Sequence, residues 1–435
     1  MKIAVIGLWH QGVVGAACCS ALGHDVIGAD LNLDTVEALK KGKAPLFEPG
    51  LDELLHKQIA LQKLSFTSDL RAAVQDIPYI FIMFDTPVND RDESDLSSIF
   101  KACEIIAPAL SKDAIILVTA QVPVGTCDSL MGTIRRVAPE STATIAYMPE
   151  NLRLGQAIER FMQPPLPVIG CDSKNTFDQL LSVFRPMASE WHHVSLRTGE
   201  MVKHALNTLL AINICFANEL GNICDAIGAD GKRVGEVLRV EPRVGARAML
   251  NPGLGFSGGT LARDIQTLRA FGLRFNVGTP LLDGAWQANA EQNRLVIRKL
   301  KQQLGNLNGA RVAVLGLTYK ADTSTLRRSS AMEIIDDLQN EGAVITAHDP
   351  KADRTELKRY SGFSFLEDPL DAASGAQALV LMTPWNEYKD IDFATLKQSM
   401  AEPYVLDTAG IWDADRLTEI GLIYDDIGRG RHPSN

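Results

Sequence analysis

KIAVIGLWHQGVVGAACCSALGHDVIGAD (residues 2–30) decides the fold. Residues 3–7 are a short apolar run that stops at Gly7. A helical segment follows from about Val13 to Leu22, and HDVIGAD (24–30) then reads as a second strand. Continuous apolar strands flanking a helix form a β-α-β unit with a buried parallel sheet. Gly7, Gly12 and Gly15 punctuate the turn and the helix, and Asp30 ends the second strand 18 residues past Gly12. This is the dinucleotide fingerprint: a glycine turn, a helix N-terminus facing the pyrophosphate, and a carboxylate for the adenosine ribose. An acid at position 30, with Leu31 and Asn32 offering no cation, selects NAD over NADP. One position departs from the pattern: Trp9 stands where glycine lets the backbone approach the pyrophosphate.

Working outward, further strands are expected at YIFIMF (79–84), AIILVTA (114–120) and TIAYM (144–148). From about Thr198 to Gly228 one proline-free span reads as a long helix, apolar nearly all round and buried on several sides. Such a helix forms either a subunit interface or an interdomain spine. Residues 280–305 read as a second long helix beginning at Pro280. At Arg311 the opening repeats: RVAVLG mirrors KIAVIG, AVITAHDP (343–350) mirrors HDVIGAD, and ALVLMT (378–383) and YVLDT (404–408) add strands. The expected architecture is α/β: two Rossmann-like doubly wound domains joined by a long central helix and a helical middle region. The expected bounds are 1–196 for the dinucleotide domain, 197–305 for the central helical domain, and 306–435 for the C-terminal domain.

Bulk properties narrow the function. The 435 residues carry a formal net charge of −10, with 46% hydrophobic and 22% charged residues. That balance argues against nucleic-acid or membrane-surface partners. Seven scattered cysteines with no C-x-x-C suggest a reducing, cytoplasmic compartment, and no metal site is expected.

Longer motifs run in one order along nearly the whole chain. They are APLFEPGLDELL (44–55), DTPVNDRDESDLS (85–97), VPVGT (122–126), MPENLRLG (148–155), GEMVKHALN (199–207), GFSGGTLARD (255–264) and VLGLTYKADTSTLRRSS (314–330). Together they resemble the UDP-glucose/GDP-mannose (nucleotide-sugar 6-) dehydrogenase family. MPENLRLG resembles that family's N-P-E-F-L-R-E-G, and GFSGGTLARD aligns without gaps to G-F-G-G-S-C-F-P-K-D.

The resemblance implies NAD-dependent oxidation of the C6 alcohol of a nucleotide sugar. In the family a cysteine thiolate captures the intermediate aldehyde, and a second hydride transfer gives a thioester that water opens to the acid. It further implies a catalytic group of Lys203, Asn207, Asp264 and Glu150, with Thr260 at the cysteine position. Lys203 and Asn207, four residues apart on one helix face, would manage charge on the C6 oxygen, and Asp264 would take the alcohol proton through a water. Glu150 would activate the hydrolytic water. Cofactor contacts would come from Gly7, Trp9, Gly12, Asp30, Thr86 and Gln121. Substrate contacts would come from Glu150, Arg153, Lys203, Arg243, Phe256, Gly258, Lys320 and Arg327, with Arg243 reaching across a subunit boundary in a homodimer or higher homo-oligomer built on the central helix.

Thr260 is the main departure. A thiol ionises near pH 8.5, whereas an aliphatic hydroxyl needs an adjacent base. Neither Gly259 nor Leu261 supplies one, and no cysteine follows Cys224. The oxidation therefore stops at the aldehyde, or reaches the uronic acid through a hydrate without a thioester. DTAGI (407–411) also lacks the arginine of the family's D-G-R-N, which weakens the expected hold on the nucleotide. Trp9 and Thr260 favour a competing reading, a catalytically silent nucleotide-binding homologue. Retained Lys203, Asn207 and Asp264 count against it.

Overall fold

A computed structural model describes residues 1–87 and 94–430. Residues 88–93 of the DTPVNDRDESDLS segment lie outside the described residues. The chain divides into two compact units, Met1–Leu206 and Asn207–Asn435.

The first unit is built on eight strands: β1 (Lys2–Ile6), β2 (Asp25–Ala29), β3 (Leu64–Thr67), β4 (Tyr79–Ile82), β5 (Ile115–Val118), β6 (Thr144–Tyr147), β7 (Val168–Gly170) and β8 (His192–Val194). Their order is β3-β2-β1-β4-β5-β6-β7-β8, and every pair is parallel except β6 with β7. Ile3 and Val5 pack into one apolar cluster with Phe81 and Leu117. Ala4 and Ile6 pack into another with Ile80 and Ile116. Both faces of the sheet are therefore covered, which is why its strands read as unbroken apolar runs. Helix α1 (His10–Ala21) buries every residue from His10 to Ser20. A shorter helix, α2 (Ala157–Met162), packs against α1.

The long helix α3 (Leu196–Ile227) lies close to its expected span and passes from the first unit into the second. In the second unit follow α4 (Gly259–Arg274), α5 (Pro280–Gln292) and α6 (Arg294–Leu304). The expected single helix over 280–305 is thus two helices, broken at Asn293. Asn293 is buried, accepting from Gly255 N at 3.3 Å and donating to Glu333 Oε2 at 3.1 Å. Those side-chain bonds reach tertiary partners and leave no periodic signature.

The repeat at Arg311 is a six-stranded parallel sheet: β9 (Arg311–Leu315), β10 (Val344–His348), β11 (Phe363–Phe365), β12 (Ala378–Leu381), β13 (Tyr404–Asp407) and β14 (Ile423–Asp426). The order is β11-β10-β9-β12-β13-β14. The protein is thus α/β with two doubly wound sheets and a long central helix, as the sequence implies. In each sheet the strand order reverses beside the first strand of the repeat, between β1 and β4 and between β9 and β12. That reversal opens the crevice in which α/β proteins bind ligands.

β14 ends in a buried acid. Burial pushes the Asp426 carboxyl up to about 6; Arg429 opposes the shift, while Asp407, Asp225 and Asp425 add to it. The folded state therefore binds the proton more tightly than the unfolded chain. Stability from this group is present below pH 4 and lost as pH rises towards 6. Asp426→Asn is expected to match the wild type in thermal melts near pH 4. Its advantage should grow through pH 6 and level off at on the order of 2–3 kcal/mol.

Candidate functional site

The dinucleotide turn is set by a close backbone approach. A Cβ on Gly12 would lie 1.7 Å from Gly7 O, so only glycine lets α1 start this close to β1. Gly7 itself has φ +95° and faces the Phe84 ring, which a Cβ would meet at 2.9 Å. Trp9, by contrast, has φ −92° and ψ −153°, an extended conformation open to any residue. Its backbone needs no glycine, and its half-exposed side chain projects from the turn instead. The departure at position 9 is therefore compatible with an intact fingerprint.

Asp30 accepts from Leu8 N at 2.7 Å through Oδ2 and from Asn32 N at 2.8 Å through Oδ1. Each oxygen keeps a lone pair for a ribose hydroxyl. The matching acid of the second sheet, Asp349, behaves differently. It is buried and takes bonds from Leu317 N, Thr318 N, Thr318 Oγ1, Trp385 Nε1, Lys351 N and Ala352 N. Protein donors saturate it, so the second repeat has no corresponding ribose acceptor. Thr86 and Gln121 come together beyond the ends of β4 and β5, with Thr86 Oγ1 donating to Gln121 O at 3.0 Å.

The MPENLRLG segment follows β6. Glu150 is half-buried and accepts from Leu152 N, whereas Arg153 is exposed. Lys203 is buried on α3, and its Nζ donates to Asn151 Oδ1 at 3.2 Å. Glu200, one turn earlier, is wholly buried and caps the helix Thr126–Val137, accepting from Gly125 N at 2.6 Å and Cys127 N at 2.9 Å. It thereby ties the VPVGT turn to the helix that carries Lys203.

In the second unit, Asn207 Nδ2 donates to the wholly buried Asp264. Asp264 lies one turn past Thr260 on α4, so the two share a helix face. Gly258 caps α4 with φ +80° and ψ 176°, and a Cβ there would press on the Tyr319 ring at 3.2 Å. Several bonds latch the loop before it: Phe256 N to Asn289 Oδ1 at 2.6 Å, Ser257 Oγ to Tyr319 O at 3.1 Å, and Gly258 N to Arg328 O at 3.0 Å. The glycine loop and the 319–328 segment that bears Lys320 and Arg327 are thus brought together. Thr260 is exposed in the first turn of α4. Arg243 is exposed, paired with Glu241 at 2.8 Å, and is not gathered with these residues in the described contacts.

None of the cysteines lies in the 255–264 segment. All seven are free and buried. Burial pushes even Cys171 and Cys215 up to about 11, and Cys18 and Cys103 to about 12. Inert thiols of this kind do not serve as nucleophiles near neutral pH.

Four contributors escape a reading by motif position alone: Glu48, Asn151, Glu200 and Lys232. Glu48 is buried and accepts from His10 Nε2 and Gly155 N, both at 3.0 Å, and from Ala157 N at 2.8 Å. It caps α2, whose own N-cap residue Gln156 provides no side-chain bond. Lys232 Nζ lies 3.0 Å from Gly410 O, bringing a cation to the DTAGI turn that lacks arginine. Glu48 lies within a quoted motif, but its partners are far along the chain.

Three family models match in sequence order. They are the UDP-glucose/GDP-mannose dehydrogenase NAD binding domain over residues 1–188, the central domain over 197–291, and the UDP binding domain over 313–414. The UDP-glucose 6-dehydrogenase of Rhizobium meliloti is 35% identical over 99% of this chain and 100% of its own length. The UDP-glucose 6-dehydrogenase TuaD of Bacillus subtilis is 30% identical over 100% of this chain and 95% of its own length. The solved UDP-glucose dehydrogenase of Pyrobaculum islandicum superposes with a TM-score of 0.88 at 28% identity, covering 98% of this chain and 97% of that one. Among the described residues no helix is long and apolar enough to cross a membrane.

If Asp30 accepts the ribose hydroxyls, Asp30→Ala should raise KM for NAD about tenfold or more in steady-state kinetics. The change in kcat should be smaller, since a ribose contact at the adenosine end would be remote from the hydride transfer.

Proposed function

Since the chain belongs to the UDP-glucose/GDP-mannose dehydrogenase family and is an NAD-dependent dehydrogenase, we propose that it oxidises the C6 alcohol of a UDP-glucose-like nucleotide sugar without a covalent intermediate. The observation that carries this reading is the buried Asp264, which takes a bond from Asn207 of α3 and shares a face of α4 with Thr260. Groups suited to alcohol oxidation are kept, while the group suited to thioester formation is absent.

In this reading Asp264 takes the alcohol proton through a water, with Asn207 fixing its carboxylate. Lys203 offsets the negative charge developing on the C6 oxygen, at a buried position where such compensation is strongest. NAD, when bound, accepts the hydride. Asp30, Gly7 and Gly12 hold it, with Trp9 beside the pyrophosphate and Thr86 and Gln121 at the strand ends. Phe256, Gly258, Lys320 and Arg327 line the sugar and phosphate side with Arg153, and Lys232 adds a cation beside Ala409. The product is the aldehyde, or the uronic acid if Glu150 delivers water to form the gem-diol before a second oxidation. We further propose the division 1–196, 197–305 and 306–435, and a cytoplasmic location.

NADH stoichiometry with product mass separates the two outcomes. One NADH per sugar marks the aldehyde, two mark the acid, and none across a panel of nucleotide sugars overturns the reading. In Thr260→Cys, a thiol in the first turn of α4 should trap a sugar adduct visible by intact-mass spectrometry.

The proposed homo-oligomer has support on α3. Leu209, Phe216 and Ile223 repeat at seven-residue spacing and Ile227 follows one turn later, with exposures of 56%, 51%, 57% and 72%. A heptad stripe of this kind suits a second copy of the same helix. Phe216→Asp should shift the mass measured by light scattering towards the monomer, and an unchanged mass would place the interface elsewhere.

A further inference from the structure

We propose that Asn151 is a positioning residue for Lys203, whose ammonium it holds in one place through its side-chain oxygen. The role of Lys203 in the reaction rests on the functional reading above; the contact does not. Lys203 is only 6% exposed, and burial works against its charged form unless an acceptor compensates. Asn151 Oδ1 is such an acceptor, 3.2 Å from Nζ.

Two bonds fix Asn151 itself. Its Nδ2 donates to Pro149 O at 3.3 Å, which orients the amide so that the oxygen faces the lysine. Its backbone oxygen accepts from Arg160 Nε at 3.0 Å. Arg160 belongs to α2, whose first amide is held by Glu48, and Glu48 also meets His10 at the start of α1. Hydrogen bonds joined through the short helix α2 thus link the dinucleotide helix to the lysine.

Other charged groups of the first unit near this contact are already engaged. Glu150 accepts from Leu152 N, Glu200 from Gly125 N and Cys127 N, and His204 Nε2 meets Val122 O at 3.0 Å.

The test compares full-length wild type with Asn151→Leu and Asn151→Asp. Protein labelled with 13C,15N-lysine reports the titration of Lys203 by NMR, its signal assigned by loss in Lys203→Arg. Removing the acceptor should lower the Lys203 midpoint by about one pH unit, and the isosteric carboxylate should raise it by a similar amount. The pH profile of kcat should move the same way in each variant, with KM for NAD little changed. An unmoved Lys203 titration in Asn151→Asp overturns the proposal, even if Asn151→Leu fails to fold. A titration that moves while the kcat profile stays fixed upholds the contact and removes Lys203 from the functional reading instead.

Discussion

The approach of α1 to β1 at Gly7 and Gly12 is the constraint on which the rest of the first unit depends. With 1.7 Å between a notional Gly12 Cβ and the Gly7 carbonyl, any side chain would push the helix away from the sheet. The helix then could not bury the residues from His10 to Ser20, and its N-terminus would leave the strand switch point. Asp30 depends on the same approach, since its bond to Leu8 N closes the turn. Trp9 shows the limit of that constraint: the backbone there is extended, so glycine at position 9 serves the ligand and not the fold.

A second constraint is backbone satisfaction at helix ends. Two helices near the site lack local caps and borrow carboxylates from afar, Glu48 for α2 and Glu200 for Thr126–Val137. Each borrowed cap also joins two functional segments. Glu48 links α1 to the loop bearing Glu150, and Glu200 links the VPVGT turn to the helix of Lys203. Loss of such a buried carboxylate leaves amides unsatisfied and loosens both segments together.

The 255–260 loop is held by contacts that leave the side chain at its end uncommitted. Asn289, Asn293 and Tyr319 hold the loop in place, and Gly258 turns it into α4. None of these supports involves the side chain at position 260. Thr260 can therefore occupy the start of α4 without disturbing the geometry, although it lacks a thiol. Burial keeps the thiols of Cys18, Cys103, Cys171 and Cys215 protonated near neutral pH.

The sequence by itself determined the two β-α-β repeats, the long central helix, the glycines of the turn and the acid of the second strand. These features are local: apolar runs, glycine positions and short spacings express them directly. Tertiary structure alone decided that Asp30 keeps acceptor capacity while Asp349 is saturated, that Asn293 splits a helix, and that Lys203 rests on Asn151. It also brought Glu48 to α2 and Lys232 to the DTAGI turn. The physical reason is common to all of these. Each depends on a polar group satisfied by a partner distant in the chain, and such pairings have no period and no local composition through which a sequence could announce them.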